Sequence, residues 1–382
     1  MVPNALLQWT TLPGRLRAAT CVRWRVHSYS SAQRLYAAVG WLLAAQRRSA
    51  DGGVPAYYDL LRDTWAPSYP ETTGYVVPTL LAYAAAYTHE PARRAALEMA
   101  EYLLTVQTPA GAIPGWGAGS PVFVFDTGQV IQGWLAAWKA TGDSRFLAAL
   151  ARAADWLVIH QEPAGFWQRY QYQDHIKTWD VRVAWALVQA GQAVGEPRYT
   201  AAGRRCLAWA LQQQGDDGWF DHCALDPGHP PVTHTIAYAI EGLLEGGALL
   251  GEEGFVSAAR RAADALLGRQ RRDGSLSAYW APGWRPCSRS ACLTGDAQMA
   301  VCWFRLFQLT GEQRYLSAGR RILASVAATQ QVDTPWLPIR GAIAGSHPVW
   351  GPYLRWRYPN WAVKFFLDAL LLERQLAAKD SP

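Results

Sequence analysis

At 382 residues and 50 % hydrophobic, the chain holds enough apolar surface for a large buried core. No apolar run reaches the roughly 18–20 residues that span a bilayer, since Arg, Gln, Asp or Gly interrupts every helical stretch. The formal net charge of +6 is carried largely by arginine pairs (Arg47-Arg48, Arg204-Arg205, Arg260-Arg261, Arg271-Arg272, Arg320-Arg321) with no nucleic-acid motif beside them. These read as solvated helix faces with at most a weak attraction for anionic polymers, and no nucleic-acid partner is expected.

Residues 1–30 read as an irregular arm without a basic start, apolar core or small-residue cleavage site, so a cytoplasmic location is expected. From residue 31 the chain becomes periodic. A glutamine closes a helix-like stretch at Gln46, Gln107, Gln161, Gln214, Gln270 and Gln330, at spacings of 61, 54, 53, 56 and 60 residues. A Gly- or Pro-bearing turn follows each time, as in QTPAGAIPGW, QEPAGFW, QQQGDDGWF and QRRDGSLSAYW. A period this regular signals a repeat architecture.

Each stretch that ends in the glutamine, such as ARRAALEMAEYLLTVQ or RYLSAGRRILASVAATQ, is amphipathic at helical spacing and reads as an outer helix. The stretches between, such as VVPTLLAYAAAY and IAYAIEGLLEGGALL, are apolar over most of their circumference and read as buried inner helices. The sequence therefore predicts an all-α, (α/α)6 toroid of outer–inner units over residues 31–376, with a short tail at 377–382. The six cysteines, Cys21 among them, are scattered and read as reduced thiols.

A polar or aromatic cluster precedes or opens each inner helix: YPETTGY (69–75), FDTGQ (125–129), HIKTWDVR (175–182), THTIAY (233–238), LTGDAQ (293–298) and YPNWAVK (358–364). In a toroid these clusters converge at one mouth of the central cavity. Thr72, Thr127, Thr235 and Thr294 read as N-caps. Capping does not account for Glu71, Asp126, His175, Asp180, Arg182, His234, Tyr238 and Lys364 together.

At these clusters the chain resembles the six-hairpin alpha-alpha toroid group. The Gln-x-x-x-Gly-x-aromatic turns are similar to the repeats of squalene–hopene cyclases and prenyltransferase beta subunits. YPETTGY, FDTGQ and YPNWAVKFF resemble toroid proteins of bacterial polysaccharide gene clusters, akin to glucuronyl 5-epimerases, polysaccharide lyases and unsaturated-glucuronide hydrolases. The resemblance spans about residues 30–375 and implies an oligo- or polysaccharide substrate. A terpene cyclase is the weaker branch, because the only adjacent aspartates, Asp216-Asp217, fall in the turn GDDGWF.

Proton abstraction beside a carboxylate, the step shared by uronate lyases and epimerases, needs a base and a cation to steady the developing enolate. His175, His234 and Tyr238 are the candidate bases or acids. Arg182, Arg340, Arg355, Arg357 and Lys364 are candidates for the carboxylate. That lyase or epimerase chemistry is the leading expectation; glycoside hydrolysis, the alternative, needs two carboxyls across the bond, and Glu71, Asp126, Asp180 and Asp296 qualify. Gln129, His347, Tyr358, Asn360, Trp116, Trp179 and Trp361 complete the expected sugar-binding set. The segment 338–364 reads as a loop that could cover the mouth. A glycan-binding protein without catalysis would keep the aromatics but need no acid and base. His222, Cys223 and His229 crowd one turn without a zinc spacing, and no metal or cofactor is expected. The sequence leaves the oligomeric state open.

Overall fold

The computed structural model describes residues 11–20 and 29–379; Cys21 and the remainder of the arm and tail lie outside these. Among the described residues there are thirteen α-helices, beginning with α1 (Leu12–Thr20) and α2 (Ser31–Gln46). Five inner–outer hairpins follow: α3 (Pro70–Tyr87) with α4 (Glu90–Val106), α5 (Val124–Thr141) with α6 (Ser144–Ile159), α7 (Val181–Val194) with α8 (Pro197–Gln212), α9 (Thr233–Leu250) with α10 (Glu253–Leu267), and α11 (Leu293–Thr310) with α12 (Gln313–Ala328). Helix α13 (Asn360–Lys379) closes the chain. The molecule is an (α/α)6 toroid: the inner helices α3, α5, α7, α9, α11 and α13 each pack on the next, and α13 returns to α3.

The hairpin runs inner to outer, the reverse of the unit expected from sequence. Only two residues join each inner helix to the outer helix it packs on, and the first is left-handed: Thr88 (φ 50°), Gly142 (72°), Gly195 (69°), Gly251 (68°) and Gly311 (73°). That conformation stops a helix within one residue, and glycine adopts it without strain. The sixth pair is made by the two ends of the chain, α13 against α2.

The repeated glutamines fasten the outer wall. The amide of Gln161 donates to the Gly165 carbonyl of its own turn (2.9 Å) and to the Ala202 carbonyl on the next outer helix (2.9 Å). Gln107, Gln214 and Gln270 do the same to Ala149, Ala258 and Ala318. Gln330 reaches Arg34 of α2 and so closes the belt (3.0 Å), and Gln46 reaches Glu98 Oε2 instead (3.0 Å). The turn glycine must come close to that neighbouring helix. A Cβ on Gly341 (φ 91°) would stand 2.0 Å from the Ala37 carbonyl oxygen.

Three of the arginine pairs, Arg204-Arg205, Arg260-Arg261 and Arg320-Arg321, contribute to this belt. Arg205 and Arg261 donate to the glutamine oxygens of Gln161 (2.7 Å) and Gln214 (2.5 Å), and Arg321 Nε to that of Gln270 (3.0 Å). Their partners Arg204 and Arg260 pair with Glu252 (2.8 Å) and Glu312 (2.6 Å). These pairs face solvent and also bond along the wall.

The expected irregular arm contains helix α1. Its Arg15 is nearly buried and pairs with Asp63 (2.9 Å), which ties the arm to the loop at 60–63. Pro13 and Gly14 hide so short a helix from a propensity reading. Short strands hold the loops between outer and inner helices. β1 (Tyr57–Asp59) pairs with β2 (Thr64–Trp65) and β7 (Arg357–Pro359), β3 (Trp280–Ala281) with β4 (Arg285–Pro286), and β5 (Ala291–Cys292) with β6 (Ser346–His347).

Candidate active site

The inner helices carry their polar residues in stripes at three- and four-residue spacing: Glu71, Tyr75 and Thr79 on α3; Asp126, Gln129 and Gln132 on α5; His234, Tyr238, Glu241 and Glu245 on α9. Such spacing places side chains on one helix face. Contacts across the ring show that this face is the toroid's interior. Tyr75 of α3 interacts with Tyr238 of α9 on the opposite side, and Arg182 of α7 lies under the rings of Tyr238 (4.9 Å) and Phe365 (5.6 Å).

Glu71 and Asp126 meet at the mouth. The Tyr69 phenol lies against both carboxyls and interacts with each. Burial raises the Glu71 carboxyl well above the usual range, and the neighbouring Asp126 charge raises it further. Burial likewise pushes Asp126 up to about 7, against opposing pulls from Tyr69 and Lys177. Asp126 Oδ2 is buried without a partner. The Trp116 indole, 52 % exposed, lies tilted at 31° against the Tyr69 ring, 4.6 Å away. Below lie Phe125, Trp179 and Tyr238, with Phe125 4.5 Å from Trp179 and 5.0 Å from Tyr238. Tyr353, from the long loop before α13, packs at 5.8 Å on His234 and accepts from Trp361 Nε1 (2.9 Å), so that loop does reach the mouth.

Other expected site residues hold the scaffold. Arg182 is buried, with donors on Glu241, Gln129 Oε1 (3.1 Å) and Gln132 Oε1 (3.4 Å). Its fork is committed within the protein, and the residue that commits it, Glu241, lies 59 positions away. His234 Nδ1 faces the Gln298 amide oxygen at 2.5 Å, which places the proton on Nδ1 and leaves Nε2 a free lone pair. Burial, with Arg182 nearby, holds the ring's pKa down to about 3, so it is neutral at working pH. His175 faces the Ala224 carbonyl (3.2 Å) and pins a loop.

Asp296 is fully buried and its Oδ2 accepts from the Leu276 amide in the preceding turn (3.4 Å). Thr73 and Thr127 do the same for Val54 and Ile113. The expected threonine caps lie inside the first turn: Thr72, Thr127 and Thr235 donate back to Tyr69, Phe123 and Val232 carbonyls. Asn360 bonds Pro55 O and Thr72 (both 2.9 Å). Arg357 lies beside Asp59 (3.5 Å), and Lys364 pairs with Asp368 (2.6 Å). Tyr358 is buried opposite Tyr58, His347 is exposed on β6, and Arg340 donates to Thr334 O (2.9 Å) beside a separate groove. Asp217 caps the Trp219 amide in its turn (3.0 Å). Cys223 is buried against the Thr178 and Thr235 hydroxyls. Among the described residues no cluster of three metal-ligating side chains occurs.

Sequence reasoning gave no role to Lys177 or Gln171. Lys177 Nζ donates to Gln171 Oε1 (3.3 Å), and the Gln171 amide donates in turn to Asp180 Oδ2 (2.5 Å). Lys177 stood within the HIKTWDVR cluster, yet nothing in the sequence separates a buried lysine from a solvated one.

The fold and this mouth place the chain among the alpha-alpha toroid proteins. The family model of the squalene-hopene cyclase C-terminal domain matches residues 33–241, and the chain belongs to that family. No curated protein matches it in sequence. Among solved structures it is similar to an unsaturated glucuronyl hydrolase specific for heparin (15 % identity, 91 % of this chain and 98 % of that one, TM-score 0.74). It is also similar to the unsaturated glucuronyl hydrolase of Bacillus sp. GL1 (18 % identity, 91 % and 97 %, TM-score 0.74). The cellobiose 2-epimerase of Bacillus thermoamylovorans B4167 follows (11 % identity, 90 % and 98 %, TM-score 0.69). At such identities the likeness establishes the fold. Among the described residues no helix is long and apolar enough to cross a membrane.

Proposed function

We propose that the chain is a carbohydrate-active enzyme that cleaves a uronic-acid-containing oligosaccharide, with Glu71 and Asp126 as its acid–base pair. The observation that carries this reading is the pair itself. A buried carboxyl, Asp126, and a half-buried one, Glu71, converge on one phenol, and like charges so close cannot both ionise near neutral pH. One is then available as an acid and the other as a carboxylate, which is what glycoside cleavage requires. The exposed Trp116 face above Tyr69 suits the apolar face of a sugar ring. The substrate class follows the glucuronyl hydrolases to which the fold is similar.

Proton abstraction, as in a lyase or epimerase, is the second reading, and the free Nε2 of neutral His234 favours it. A ring with so low a pKa is a weak base, whereas Asp126 titrates near working pH. The test is a reducing-end and ultraviolet-absorbance screen on uronate oligosaccharides, both unsaturated at the non-reducing end and saturated. New reducing ends, lost in Glu71→Gln and Asp126→Asn, are expected. Rising absorbance would move the reading to proton abstraction, and sugar binding without product would leave a glycan-binding protein.

A further inference from the structure

Beside the mouth the chain carries arginines that the fold does not neutralise. On the outer wall guanidinium groups meet carboxylates, as in Arg145 with Glu101, Arg198 with Asp155 and Arg260 with Glu312. Among the described residues, Arg271, Arg272, Arg289 and Arg355 make no ion pair. Arg271 donates instead to the Ser288 carbonyl (2.6 Å) and the Arg289 carbonyl (3.0 Å). Those neutral oxygens hold its guanidinium in place without cancelling its charge. Arg272, Arg289 and Arg355 are exposed. The one acid within residues 269–292 is Asp273, which lies near Arg271. Its Oδ1 already accepts from the Ser275 amide (2.9 Å) and hydroxyl (2.8 Å).

These side chains adjoin the loop that reaches into the mouth. Strand β5 pairs with β6, with Ala291 opposite His347. The chain then passes so close to β5 that a Cβ on Gly351 would stand 2.9 Å from Ser290 Oγ. Arg289 and Trp350, the neighbours of these two residues, therefore flank one backbone crossing. The Trp350 indole is 49 % exposed, and its ring centre lies 6.0 Å from that of Trp356. The Trp356 amide donates to the Val349 carbonyl (2.9 Å), which sets Arg355 and Trp350 on adjoining stretches of the loop. Three residues beyond Trp350, Tyr353 packs on His234. The basic rim and the mouth thus share this loop.

We propose that this rim is a subsite for the acidic residues of an extended glycan whose end occupies the mouth. The planar forks of Arg271, Arg272, Arg289 and Arg355 pair with its carboxylates, and the Trp350 indole lies against a sugar ring. Exposed basic side chains alone make an ordinary solvated surface. An exposed indole among cations that lack carboxylate partners suits an acidic sugar, because each such ring offers an apolar C–H face and a charged edge. The substrate class rests on the carbohydrate reading above. The rim adds that the substrate continues past the reacting sugar and carries negative charge there.

The experiment is a calorimetric titration of the full chain carrying Asp126→Asn, so that bound glycan persists. The probes are galacturonate and mannuronate hexamers, the corresponding dimers, a neutral glucan hexamer and polyphosphate. At least one acidic hexamer should bind more tightly than its dimer and than the neutral hexamer, and should weaken as salt rises. Adding Arg272→Gln and Arg289→Gln together, both exposed and without a partner to lose, should weaken that hexamer by about tenfold and leave the dimer nearly unchanged. Trp350→Ala should weaken the hexamer by about threefold to tenfold and leave polyphosphate unaffected. An acidic hexamer that binds no better than the neutral one, or not at all, overturns the proposal. So does an arginine double variant with unchanged hexamer affinity. A double variant that weakens polyphosphate as much as the hexamer, with Trp350→Ala weakening neither, shows a charged surface only and overturns it equally. Hydrolysis is scored separately with the unaltered chain: a hexamer that binds through the rim yet yields no reducing ends removes the hydrolytic reading and leaves the subsite standing.

Discussion

The outer wall and the mouth are built on opposite rules. On the wall, one device recurs: a glutamine amide bridges its own turn glycine and the next outer helix at Gln107, Gln161, Gln214 and Gln270, and Gln330 repeats it across the chain ends. At the mouth a turn-holding acceptor recurs at the fourth residue of three inner helices, Thr73, Thr127 and Asp296, but the second residue does not. The second residue of each inner helix is Glu71, Phe125, Arg182, His234, Thr294 or Trp361. Repetition marks what the fold needs, since a ring requires the same joint at every station. Departure from the repeat marks where chemistry can lie, and the carboxyls of Glu71 and Asp126 are found there.

The comparison can be broken most directly at the carboxyl pair. Glu71→Gln or Asp126→Asn should lower kcat by about 10²–10⁴-fold without unfolding the toroid, which steady-state kinetics and circular dichroism would check together. On the wall, Gly341→Ala should destabilise by about 3 kcal/mol, because a left-handed backbone and a carbonyl contact at 2.0 Å both oppose a Cβ; a lower denaturant midpoint is the readout. Gln161→Ala removes the partner of two carbonyls and should destabilise by about 1–2 kcal/mol. Arg260→Ala breaks a half-exposed pair and should change stability by less than about 1 kcal/mol.

A pH experiment sharpens the contrast. Asp126 is pushed up from 3.8 to about 7 in the folded protein, so between those values the native state binds more protons than the unfolded chain. Stability linked to this group therefore falls as pH rises through that window. Asp126→Asn should unfold at a higher temperature than the unaltered protein at pH 8, with the difference gone near pH 4. Equal melting temperatures at pH 8 would mean that the mouth exacts no such penalty.

The fold was legible because helical period and glutamine spacing are local properties of the chain. The starts of the inner helices, where Glu71 and Asp126 stand, followed from the same pattern. Arg182 was expected to hold a substrate carboxylate, and its tie to Glu241 was not legible because it depends on which inner helices become neighbours. The four aspartate and glutamate candidates looked alike in sequence. Asp296 serves a turn amide as Thr73 and Thr127 do, a distinction visible only once the turns are placed. The inner-to-outer order of the hairpins was hidden because a periodic sequence reads equally well from either helix.

The pairing of α13 with α2 has a consequence for how the molecule comes into being. Synthesis delivers α2 first among the ring helices and its partner last, more than three hundred residues later. On a ribosome the growing chain would be an open horseshoe with an unmatched helix at its leading edge. The mouth, which needs α3 and α9 facing across a closed circle, would be completed only when the final helix docks.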